Sequence, residues 1–197
     1  MFGLSTVEIV AALFGAASVY LSARQHIASW PTALVNVLLY VAVFRGARLY
    51  ADMSLQFVYA ALSIYGWYEW KYGGAGRTVL PVSRTPARLW PVLAALGVGA
   101  AALLAHLFGT YTDAANPALD SSLTAASLVA QWMMTRKLVE NWLIWIAADV
   151  VYVPLYLSKH LYPTAVLYAV FLGLAVKGYV DWRRDLRGRE ALQGAGG

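Results

Sequence analysis

The sequence predicts an all-α polytopic membrane protein. It has seven transmembrane helices, arranged as two parallel three-helix repeats joined by a linking helix (3+1+3). Three observations predict this. First, 60% of the 197 residues are hydrophobic and only 13% are charged, whereas soluble domains carry about a quarter charged residues. Second, the apolar residues fall into seven stretches, each about long enough to cross a hydrocarbon core ~30 Å thick. Third, the chain repeats itself without gaps at an offset of 112 residues, as from Trp30 to Trp142.

The spans are read at residues 7–21, 27–44, 51–70, 88–108, 118–134, 139–158 and 164–182. The first has no basic segment before it and no A-x-A-like cleavage site, so it is expected to be retained. The second carries Asn36 near its centre. The third places Gln56, Tyr59, Ser63, Trp67 and Trp70 at helical spacing. The loop after it has three glycines and two prolines between Tyr72 and Ala87 and reads as a linker to the apolar fourth span. The fifth begins beside Asp120, and the sixth holds Asp149 near its middle. The seventh keeps Tyr168 and Phe171. The tail from Arg183 onward is charged, then glycine-rich, and is expected to be mobile. The expected units are 1–71 and 113–183 for the two bundles, 72–112 for linker and linking helix, and 184–197 for the tail.

The repeat rests on many pairs in one register. Arg24 matches Arg136, Tyr40 matches Tyr152, and Leu49-Tyr50 matches Leu161-Tyr162. Leu55 matches Leu167, Gly66 matches Gly178, and Trp70 matches Trp182. Glu8 with Asp120, Tyr59 with Phe171 and Glu69 with Asp181 are conservative pairs. A single connecting span leaves both copies pointing the same way, about an axis along the membrane normal. Transporters built of repeats bind substrate where the repeats meet, near the midplane.

Basic residues fix the expected orientation. One side holds Arg45, Arg48 and Lys159. The other holds Arg24, Lys71, Arg77, Arg84, Arg88, Arg136, Lys137, Arg183, Arg184, Arg187 and Arg189. The richer side is cytoplasmic by the positive-inside rule, so the N-terminus lies outside and the C-terminus inside. Lys177, within the last span, is expected to snorkel. This placement of the +5 charge belongs to a lipid bilayer and not to nucleic acid. With no cysteine, disulfides and thiolate chemistry are excluded. The three histidines lack ligand spacing, so no metal site is expected. No nucleotide-binding loop, HExxH or GxSxG is present, so no catalytic residue or cofactor is expected.

A charged side chain at bilayer depth costs several kcal/mol and usually faces a cavity or partner. Asp149 is such a group. On a helix it shares a face with Asn141, Trp145, Tyr152 and Tyr156. The competing reading is a neutral acid kept by burial or paired with a tyrosine. Asn36 and Gln56 are expected either at the site or as glue between helices. Tyr59 and Tyr168 lie deep on the same faces. A carboxylate among aromatic rings suits a cationic or electron-poor ring. Trp30, Trp70, Trp90, Trp182 and Tyr111, at span ends, are expected in the interfacial belt.

The runs WPTALVNVLLY, LYADMSLQFVYAALSIYGWYEW and RKLVENWLIWIAADVVYVPLYLSKHLYPTAVLYAVFLGLAVKGYVDW resemble the PnuC family of bacterial vitamin transporters. The resemblance covers residues 30–70 and 135–183. It implies facilitated diffusion of nicotinamide riboside, with thiamine or riboflavin as alternatives, followed by trapping through cytoplasmic phosphorylation. An intramembrane enzyme is the weaker class. Gln56, Asn141, Trp142, Trp145 and Asp149 match the family's binding motifs. The expected substrate site is therefore Asn36, Gln56, Tyr59, Asn141, Trp142, Trp145, Asp149, Tyr152 and Tyr168. The expected partners are the vitamin and the bilayer, with a homo-oligomer left open.

Overall fold

A computed structural model describes residues 6–46, 48, 50–111 and 116–194. Within them the chain forms seven α-helices: α1 (Thr6–Ala23), α2 (Ser29–Gly46), α3 (Tyr50–Tyr72), α4 (Leu89–Tyr111), α5 (Pro117–Thr135), α6 (Asn141–Ser158) and α7 (Tyr162–Gly194). Four of them open with proline in the first turn, at Pro31, Pro91, Pro117 and Pro163. There the missing N–H has no helical partner to lose, and the fixed φ suits the helix. Asn116 caps α5, its side chain accepting from the Leu119 N–H at 3.3 Å. By length and composition α1, α4, α6 and α7 can each cross a membrane. The remaining three are as long but more polar, at 18, 23 and 19 residues. Outward faces are apolar: Leu38, Leu96, Val98 and Val166 are each more than half exposed. Lipid accepts such surface without cost, and helices leave it no unsatisfied backbone.

Neighbouring helices pack in order within each copy, α1 on α2 on α3 and α5 on α6 on α7. Between copies, α1 meets α7 and α3 meets α5. Exchanging the copies turns the first contact into the second, so one interface occurs twice about a pseudo-twofold axis. The linking helix α4 packs along α5.

The offset of 112 runs through the backbone as well. Left-handed φ values occur at Gln25 (54°) and its match Lys137 (49°), and again at Arg48 (58°) and its match His160 (56°). Each lies just past a helix C-terminus, where such a residue reverses the chain.

Three of the tryptophans expected in the interfacial belt are instead core. Trp30, Trp70 and Trp182 are 2%, 1% and 0% exposed, and Trp142 is 1%. The reason is a repeated socket. A Cβ built on Gly66 would lie 2.2 Å from the Trp30 ring, and one on Gly178 would lie 2.6 Å from Trp142. Glycine therefore lets the next helix close over each indole. Trp30 and Trp70 meet edge to face at 5.2 Å and 88°, and Trp142 and Trp182 at 5.4 Å and 87°. Trp90 does stay exposed. The side chain of Tyr111 lies outside the described residues, as do the boundary at 112–113 and the last three residues of the tail.

The tail is also ordered further than expected, because α7 continues to Gly194. Leu186 is buried, Asp185 pairs with Arg189 at 2.8 Å one turn on, and Glu190 pairs with Arg84 of the linker at 3.1 Å. The linker is likewise held in place. The Ser83 N–H donates to the Lys137 carbonyl, and the Val139 N–H to the Ser83 carbonyl, at 3.1 and 2.9 Å. Thr85 donates its N–H and hydroxyl to Glu140 at 2.8 and 2.7 Å. Leu80 and Val82 fill the core under this clamp. Lys177, expected to snorkel, is paired with Asp181 one turn along α7.

Candidate functional site

Between the two bundles lies a cavity of about 900 Å³, lined by every helix except α4. That is the size of a small-molecule site. At one end, here the tryptophan end, the lining stops at Ser22, Met134, Trp30 and Trp142. At the other, the tyrosine end, it reaches Glu8, Phe44 and Pro163.

Of the residues expected at the site, the cavity gathers Asn36, Gln56, Tyr59, Trp142, Trp145, Asp149 and Tyr168. Asn141 is not among them. It is fully buried at the start of α6, where its amide donates to the Leu138 carbonyl at 2.6 Å and braces the turn. Tyr152 is not among them either. It stacks on Tyr156 (5.7 Å, 13°) and leans on Tyr168 (4.8 Å) behind the cavity wall. Helical geometry explains both. At about 100° per residue, Trp142 and Tyr156 point within about 20° of Asp149, but Asn141 is about 80° away and Tyr152 about 60°.

Asp149 is 4% exposed and makes no hydrogen bond or ion pair to a described residue. Asn36 donates its amide to the Ala11 carbonyl of α1 at 2.7 Å, which leaves its oxygen as the free acceptor. Gly15 makes that approach possible, since a Cβ there would sit 3.0 Å from the Asn36 amide nitrogen. The indole N–H groups of Trp30 and Trp142 are buried without a partner among the described residues, and both rings line the cavity. The described lining thus offers two acids, Glu8 and Asp149, with amides, indole donors and aromatic rings. It contains no lysine, arginine or histidine. No group of three or more potential metal ligands occurs among the described residues.

Several further residues line the cavity that the expected substrate site does not include. Trp30 reads as an interfacial residue, yet its match to the motif residue Trp142 points inward. Tyr156 lies on the Asp149 face. Ser63 continues the helical spacing of Gln56 and Tyr59, Glu8 is known from the repeat only as the match of Asp120, and Gln131 carries no signal beyond being polar within an apolar span.

The family model described as nicotinamide mononucleotide transporter matches residues 5–184. The chain belongs to that family. Among curated members of such transporters, it is 27% identical to the nicotinamide riboside transporter PnuC of Escherichia coli (strain K12), over 95% of this chain and 89% of that protein. It is 30% identical to the riboflavin/roseoflavin transporter RibM of Streptomyces davaonensis, over 95% of this chain and 90% of that one. The crystal structure of the vitamin B3 transporter PnuC superposes with a TM-score of 0.71 at 25% identity, over 90% of this chain and 80% of that chain. The protein is thus a multi-pass transporter of the PnuC type, with a small-molecule substrate.

Proposed function

We propose that this transporter imports nicotinamide riboside by facilitated diffusion, and that cytoplasmic phosphorylation traps it. The carrying observation is Asp149, a buried carboxylate without a partner among the described residues, set among aromatic rings in a cavity whose described lining has no basic residue. A pyridinium cation supplies the missing charge and stacks on the rings. Ribose hydroxyls match Gln56, the Asn36 oxygen and the carboxylate. A phosphorylated nucleotide would bring a dianion to a site whose described lining holds Glu8 and Asp149 and no cation, which favours the nucleoside over the mononucleotide. Of the expected set, Asn36, Gln56, Tyr59, Trp142, Trp145, Asp149 and Tyr168 are the proposed contacts. A second reading, riboflavin, is supported by the likeness to RibM. A neutral flavin leaves Asp149 without a countercharge, which places it second.

The tryptophan end, with Arg136, Lys137 and the α7 arginines, is read as cytoplasmic. A cytoplasm-dependent reporter fused to the C-terminus is expected to be active, and the reverse would overturn the orientation. Proteoliposomes loaded with nicotinamide riboside are expected to show counterflow of labelled nicotinamide riboside without ATP or an ion gradient. Counterflow of riboflavin alone would replace the first reading by the second. Uptake that required a sodium or proton gradient would refute facilitated diffusion.

A further inference from the structure

Two pairs of matched residues touch their own copies. The Trp70 and Trp182 rings lie 5.9 Å apart, and the Lys137 ammonium donates to the Gln25 side-chain oxygen at 3.4 Å. Under a twofold relation, a residue meets its copy only on the axis. Both contacts therefore mark the axis between the bundles, at the tryptophan end of the cavity. A path between two bundles that rock against each other runs along that axis.

The same end is laced across the bundle boundary. The Trp70 N–H of α3 donates to the Met134 carbonyl of α5 at 3.0 Å, and the Trp182 N–H of α7 donates to the Ser22 carbonyl of α1 at 3.2 Å. These are one bond made twice, since Ser22 and Met134 are matched positions. Both carbonyls belong to residues lining the cavity floor, and both indoles lie behind it. Lys137 is 3% exposed and sits 4.5 Å over the Trp70 ring. It faces Gln25, whose amide donates to Asp185 at 3.2 Å, and Asp185 is paired with Arg189. A lysine with three donors and one long acceptor contact is poorly served by burial, so the arrangement is better suited to a contact that breaks than to a permanent core.

We propose that the Gln25–Lys137 contact, backed by Trp70 and Trp182, is the inner gate of the transport path: substrate leaves the cavity when these two on-axis contacts part. The structure is then the gate-closed state, with the cavity extending towards the tyrosine end. The proposal rests on the transport reading above.

The chain has no cysteine, so a pair can be placed without background. The test uses Gln25→Cys/Lys137→Cys in proteoliposomes, bridged by a short bifunctional methanethiosulfonate reagent. The expected result is loss of labelled nicotinamide riboside counterflow on bridging, recovery on reduction, and unchanged binding of nicotinamide riboside to the bridged protein by calorimetry. Counterflow at the unbridged rate would overturn the gate, and so would failure of the two positions to bridge. A second measurement uses Lys137→Cys alone. Its thiol is expected to be shielded at rest and to react faster with a thiol reagent during counterflow, and an unchanged rate would also overturn it. If the unbridged protein neither binds nor exchanges nicotinamide riboside, the substrate reading has failed, and the gate is tested by the same bridge with thiamine or riboflavin counterflow.

Discussion

The two bundles share a scaffold and differ where they face the cavity. Each has the same tryptophan-on-glycine socket, the same indole-to-carbonyl bond to the other bundle and the same two chain reversals. At the tyrosine end, Tyr40 stacks on Phe44 in one copy, as Tyr152 stacks on Tyr156 in the other. At mid-depth the likeness stops. Asp149 stands where the first bundle has Val37, Asn36 where the second has Ala148, and Gln56 where it has Tyr168. The difference separates two jobs. Contacts that hold the bundles against each other are duplicated, because both sides must move alike. The polar groups facing the cavity at mid-depth are single, which suits the proposed nucleoside with its two unlike ends.

The comparison can be broken at its strongest point by the glycines. Gly66→Ala and Gly178→Ala both drive a methyl into an indole, and each is expected to lower stability by about 2–3 kcal/mol. Thermal unfolding of the purified variants checks this, and a large loss in one with tolerance in the other would show that the sockets are not equivalent. Next in size, Asp149→Asn is expected to weaken nicotinamide riboside binding by about 2 kcal/mol, on the order of thirtyfold, through loss of the charged partner. Riboflavin binding, if present, should hardly change. Trp145→Ala should cost about 1–2 kcal/mol in the same calorimetric titration. If affinity survives both substitutions, Asp149 and Trp145 do not read the substrate.

The smallest effect concerns Lys137, whose match Gln25 cannot titrate. Burial, with Arg189 nearby, lowers its pKa from the usual 10.5 to about 8. The sign follows from proton binding. Between about 8 and 10.5 the unfolded chain holds this proton and the folded one does not, so stability rises with pH across that window and is lowest below it. Lys137→Met is expected to raise the melting temperature at neutral pH and to flatten this rise. A melting temperature that is flat with pH in the unmodified protein would contradict it.

Much of this is legible in the sequence for a physical reason. Span length, charge asymmetry and an ungapped register are properties of the chain itself. The sixth span shows its acid because a lone carboxylate in an apolar run is too costly to keep for packing alone. The tryptophans mislead, since an indole at a span end serves an interfacial belt or an interhelical socket equally well. Only Gly66 and Gly178, each meeting a tryptophan at the same offset, distinguish the two, and that takes knowing which helices touch. Asn141 and Tyr152 fall outside the cavity because a face drawn from spacings of three and four is wider than the strip a cavity exposes. The order of α7 past Trp182 is hidden in a tail whose anchors, Arg84 and Leu80, lie about a hundred residues away in the linker.

The length of α7 has a mechanical consequence. Its 33 residues, at about 1.5 Å each, make a rod of about 50 Å, well over the thickness of the hydrocarbon core. Along that one rod lie Tyr168 in the cavity wall, Trp182 and Asp185 around the axis, and Glu190 tethered to the linker. A tilt of about 5° at one end displaces the other by about 4 Å over this length, enough to part a hydrogen bond. One rigid helix thus joins the proposed substrate contact at Tyr168 to the proposed gate at the axis.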